Sequence, residues 1–131
     1  MKKLAILFSL FAVALVFHAN AQEATGAAIT FKEKSIDFGD ITQGDVVSHT
    51  FELTNTGNAP LIISNVAATC GCTVPSWPKE PIAPGTTAEI KVVFRSTGKQ
   101  GKQNSVVRIY SNASEPIEKV SLISNVLPKT Y

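Results

Sequence analysis

From Val47 to Thr54 the side chains alternate. Val47, His49, Phe51 and Leu53 fall on one side, and Ser48, Thr50, Glu52 and Thr54 on the other. A two-residue period describes an extended strand with one face buried; a helix needs 3.6. Ala88-Ile90-Val92-Phe94 repeats the pattern, with Glu89, Lys91 and Arg95 outward. Val107 and Ile109 share a face opposite Arg108, and Val120, Leu122 and Ile123 form a last run with a less regular phase. Ile29-Thr30-Phe31, Ile36-Asp37-Phe38 and Leu61-Ile62-Ile63 complete the set. Turn residues separate the runs. Asn55-Thr56-Gly57-Asn58 stops one strand, and Pro60 delays the next. Pro84-Gly85 suits the centre of a type II turn. Gly39 and Gly44 bracket an early connection, and Gly98 and Gly101 flank a basic hairpin tip, Lys99 to Lys102. About seven short strands and no helical pattern after the N-terminal segment predict an all-β, immunoglobulin-like β-sandwich.

That N-terminal segment is an export signal by its own pattern. Lys2 and Lys3 precede an apolar run from Leu4 to Phe17, fourteen residues. A membrane-spanning helix needs about 18 or more. Ala19-Asn20-Ala21 then offers a small-x-small cleavage pattern, so cleavage is expected between Ala21 and Gln22. The expected organisation is a signal peptide over 1–21, a flexible leader over 22–28, one sandwich domain over 29–127 and a tail over 128–131. The mature chain carries no expected membrane span, and its expected location is periplasmic or secreted. The whole sequence has 12 basic and 10 acidic residues. Removing Lys2 and Lys3 leaves ten of each, so no basic field remains to attract nucleic acid or anionic lipid.

Several motifs together resemble one bacterial group. They are Ile36-Asp37-Phe38-Gly39, Phe51-Glu52-Leu53-Thr54-Asn55-Thr56-Gly57, Pro60-Leu61, Cys70-Gly71-Cys72, Trp77, Ile82-Ala83-Pro84-Gly85 and Phe94. The chain is similar over roughly residues 31–126 to the exported family known as domain of unknown function 1573, abundant in Bacteroidetes. The resemblance implies an immunoglobulin-like sandwich related to Hydin and major sperm protein modules. It implies no activity.

Cys70 and Cys72 are the only cysteines, and an exported chain delivers them to an oxidising compartment. Three readings stay open. In the first they form a disulfide. An extended i, i+2 pair spans about 6.6 Å, at the upper limit for a disulfide, so Gly71 is expected to fold the chain back. Closing so short a loop contributes only about 1.6 kcal/mol, and such a bond is expected to reduce easily. In the second reading the two thiolates hold a soft metal, Cu(I) being the fitting ion. His49, the only histidine after the signal, is the one available third ligand, though its place in the alternation suits a core face or strand end. In the third reading both are buried thiols packing as small apolar groups.

Other chemistry lacks its residues. There is no Gly-x-Ser-x-Gly elbow, no phosphate-cradling glycine loop and no Cys-x-x-Cys, and the carboxylates stand singly. Trp77, between Pro75 and Pro78, is expected to fold over the end of the sandwich. Asn112-Ala113-Ser114 matches a glycosylation acceptor pattern but suits a turn. The expectation is a non-enzymatic module without a cofactor that contacts another cell-envelope protein through strand edges or end loops. The alternative is copper handling or thiol redox at Cys70-Gly71-Cys72.

Overall fold

A computed structural model of the chain describes residues 26–130. The expected signal and the Ala21–Gln22 cleavage point lie outside the described residues. Eight strands form two sheets: β1 (Ile29–Phe31), β2 (Ser35–Thr42), β3 (Val46–Asn55), β4 (Ile63–Ala68), β5 (Thr73–Ser76), β6 (Thr87–Arg95), β7 (Gly101–Ser111) and β8 (Ile117–Leu127). One sheet runs β1-β3-β6-β5 and the other β2-β8-β7-β4. Pairings are antiparallel except β2 with β8, which is parallel. The described residues contain no helix, so the chain is an all-β immunoglobulin-like sandwich.

The alternation read from the sequence is the alternation that builds the core. Phe51 and Leu53 of β3 and Ile90, Val92 and Phe94 of β6 face Val107 and Ile109 of β7 and Val120, Leu122 and Val126 of β8, all buried. Each such side chain contributes about 1.5–3 kcal/mol when fully buried. The phase of β8 is clean after all: even-numbered residues point inward and Ile123 outward.

Two expectations need correction. The sandwich has eight strands instead of about seven, and the extra one is β5. The strand expected at Leu61–Ile63 begins at Ile63, while Leu61 makes an isolated bridge with Ile82. The second correction concerns the leader. Gly26 to Ala28 belong to the folded domain, and Ala27 is only 3% exposed. Thr56 N donates to Ala28 O (2.9 Å), Asn58 N to Gly26 O (3.0 Å) and Ser114 N to Ala27 O (3.0 Å). The segment lies so close to Gly57 that a Cβ there would stand 2.1 Å from Gly26 O. Glycine is therefore required at 57 for lack of space, in addition to its turn role.

Asn55 explains the corner around that glycine. It is fully buried. Its Oδ1 accepts from Gly57 N (3.0 Å) and Ala28 N (3.3 Å). Its Nδ2 donates to Ala59 O (2.8 Å) and Ile82 O (2.9 Å). A primary amide has two donors and one two-lone-pair acceptor, so the side chain is completely satisfied. The Pro84-Gly85 turn docks on the same residue. Gly85 has φ 77°, Thr86 N donates to Ala83 O (3.1 Å), and Gly85 N donates to Asn55 O (2.7 Å).

Candidate functional site: the cysteine corner and the strand edges

Between β4 and β5 the chain crosses from one sheet to the other, and Cys70-Gly71-Cys72 is the crossing. Thr69 N donates to Val106 O of β7 (3.2 Å), and Arg95 N of β6 donates to Cys72 O (2.8 Å). The corner is thus pinned to both sheets through the main chain. The two sulfurs are joined as a disulfide with Cα atoms 5.3 Å apart, shorter than an extended i, i+2 span. Gly71 is not among the glycines with positive φ, and nothing lies within 4 Å of where its Cβ would be. The expected need for glycine to fold the chain back does not hold: the turn uses ordinary φ. Both sulfurs are half-buried over the Thr73 hydroxyl, at 3.9 Å and 3.8 Å.

A disulfide offers no thiolate, so the copper and thiol-exchange readings apply only to a reduced form. His49 has other partners. It pairs with Glu33 and packs edge-on against Phe51 with ring centroids 4.7 Å apart. It lies on the core face of β3, where alternation put it. Among the described residues no group of three or more His, Cys, Asp or Glu side chains is placed to share a metal ion.

Trp77 follows β5 and packs against the core, as expected. Its Nε1 is buried without a hydrogen-bond partner, and Lys79 Nζ lies 3.0 Å from the ring centroid. Asn112 holds a turn. Its Oδ1 accepts from Ile62 N (2.8 Å), and its Nδ2 donates to Pro60 O (3.0 Å). The Lys99–Lys102 tip closes with Lys99 N donating to Ser96 O (3.0 Å).

Four strands are sheet edges, and no local pattern marks them. Three are blunted by familiar devices. β1 is three residues long and runs into Lys32-Glu33-Lys34. β2 carries Asp37 and Asp40 around a register shift. β5 is blocked chemically. Cys72 faces β6, so alternation turns Val74 and Ser76 toward β6 and leaves Thr73 and Pro75 at the open side. Thr73 N is already donated to Cys70 O (3.3 Å), and Pro75 has no N–H. β4 differs. Its sequence, Ile-Ser-Asn-Val-Ala-Ala, has no charge and no proline. Thr69 faces β7, as do Ala67 and Asn65 in the same register, so Val66 and Ala68 direct their N–H and C=O groups outward.

Comparison with known proteins agrees with this architecture. No curated protein matches the chain. Among solved structures, a protein of unknown function from Porphyromonas gingivalis W83 is 16% identical with a TM-score of 0.68, over 79% of this chain and 48% of that one. The present chain therefore spans about half of that protein. The PapD-like domain 7 of human CEP192 is 11% identical with a TM-score of 0.63, over 78% of this chain and 87% of that one. The E. coli chaperone DraB is 8% identical with a TM-score of 0.56, over 79% and 57%. At such identities the likeness concerns the fold alone. The sequence itself is more specific: the chain belongs to the family described as a protein of unknown function, DUF1573, which matches residues 29–126.

Proposed function

We propose that the chain is an exported, non-enzymatic immunoglobulin-like module that binds another protein of the bacterial cell envelope. The observation that carries this reading is the β4 edge, with main-chain donors and acceptors at Val66 and Ala68 turned outward on an uncharged strand. Unpaired edge groups accept an added strand, and main-chain hydrogen bonds then supply affinity. Chaperone and PapD-like domains among the structural neighbours support a binding role by analogy of fold. Export rests on the sequence pattern before Gln22; a mature mass beginning at Gln22 is the expected result for protein isolated from its own envelope.

The test uses a photo-crosslinking residue at Asn65, which is exposed on β4. In the native envelope it is expected to give one discrete adduct. Ala68→Pro removes one outward N–H and leaves the β7 side untouched, so it is expected to abolish the adduct while the protein stays folded. An absent adduct, or one indifferent to Ala68→Pro, would falsify the reading. The copper and redox alternative makes a separate prediction: stoichiometric Cu(I) binding by the reduced protein, lost in Cys70→Ser.

A further inference from the structure

β6 is longer than the strand that covers it. β5 pairs with it from Thr73↔Phe94 to Ser76↔Lys91 and no further. On its other side β6 stays paired with β3 down to Thr54↔Thr87. Below Lys91, β6 therefore has a neighbour on one side only.

Two hydrogen bonds fix which groups face the empty side. Arg95 N donates across to Cys72 O, toward β5, and Thr86 O accepts from Asn55 N, on the β3 side. Antiparallel strands alternate, so Glu89 and Thr87 turn their N–H and C=O groups into the lane that β5 has left. The departure has a cause in the sequence. Continuing the register places Pro78 opposite Glu89, and proline has no N–H to give. The chain peels away there, and Trp77 turns against the core. What remains is an open groove lined by Ser76, Trp77, Pro78, Ala88, Glu89 and Lys91.

The groove also holds a carboxylate, Glu89, with Lys91 two residues along the same strand. Glu89 stands directly opposite Glu52 on β3, an arrangement that destabilises a sheet. Lys32 Nζ lies 3.7 Å from Glu52, and no ion pair among the described residues engages Glu89.

We propose that this lane binds an extended polypeptide segment as a short added strand on β6, with a lysine or arginine of that segment opposite Glu89. The backbone groups of Thr87 and Glu89 define the ligand as a peptide, and the Glu89–Glu52 pair defines its charge. The proposal rests on the reading of the chain as a binding module and gives one class of partner its chemistry.

Trp77 is the only tryptophan of the chain and lines the groove, so its emission reports occupancy. The probes are three end-blocked pentapeptides: Thr-Val-Lys-Val-Thr, the same with glutamate at the centre, and the first with its lysine N-methylated. The lysine peptide is expected to shift the emission saturably, about tenfold more tightly than the glutamate peptide. N-methylation is expected to abolish the shift, and Glu89→Lys to invert the preference. No shift with the lysine peptide at millimolar concentration overturns the proposal. Equal shifts from all three peptides do so as well. An emission change that follows protein concentration alone would assign the lane to a second copy and also overturns it. If the Asn65 adduct forms while the peptides fail, the lane falls and the binding module stands. If the peptides bind and no adduct forms, the reading built on the β4 edge falls and the lane stands by itself.

Discussion

The two corners of this molecule are held by opposite means. At the Asn55 corner a buried neutral amide ties together Ala28, the Gly57–Ala59 turn and Ile82, groups that lie up to 27 residues from it in sequence. At the Cys70 corner a covalent bond joins residues two apart. Four modest hydrogen bonds hold distant stretches in place, whereas the stronger link holds almost nothing that the chain does not already hold. What a constraint contributes depends on how much freedom it removes from the unfolded chain, and a three-residue loop has little to remove.

The comparison breaks most directly at Asn55. Asn55→Ala leaves the amides of Ala28 and Gly57 and the carbonyl of Ala59 without partners, and leaves Ile82 O with Leu61 N alone. At about 1–3 kcal/mol for each buried unsatisfied group, with partial relaxation, a loss of at least 3 kcal/mol is expected in urea unfolding. A loss under about 1 kcal/mol would show that the amide is not the tie. Gly57→Ala comes next, at about 2 kcal/mol, within the range for forced overpacking. The same substitution in a chain that begins at Ile29 is expected to cost much less, because the atoms it strikes are gone. An equal cost in both chains would mean that the N-terminal segment does not dock.

Replacing both cysteines with serine is expected to leave the fold intact and to cost at most about 1.6 kcal/mol. Unfolding of that variant at room temperature would reverse the ranking of the two corners. Lys79→Ala removes a cation from the Trp77 ring. A change under about 1 kcal/mol is expected, read best as a shift in tryptophan emission. Gly71→Ala is expected to be the smallest of all, within about 0.5 kcal/mol of zero, since the site has space and no positive φ. A large effect there would mean that the corner needs its glycine for a reason the folded domain does not display.

Much of this architecture could be read from residue order, and the exceptions have physical causes. The long strands β3, β6 and β7 announce themselves because one face is buried and the other wet. β5 hides because Pro75 reads as a breaker, and only its place at a sheet edge makes proline tolerable there. Asn55 was legible as a turn residue and nothing more. An asparagine that caps a turn in water and one that anchors a buried corner look alike in sequence, and the Asn-Thr-Gly motif carried no mark of its depth. The pairing of Cys70 with Cys72 was one of three open readings, because the backbone path through Gly71 decides it. Which strands lie at the rims follows from contacts between distant residues, so neither the β4 rim nor the Glu89 lane has a local signature.

The blocked side of β5 bears on how the domain avoids stacking on copies of itself. Side-by-side stacking of sandwiches needs every rim to give and to take hydrogen bonds. This rim keeps carbonyls but has spent or lost its amides. A copy arriving along β5 finds an incomplete socket, so that strand acts as a terminator: a polymer that lengthens on this flank has only the short β6 lane beyond Lys91 to use.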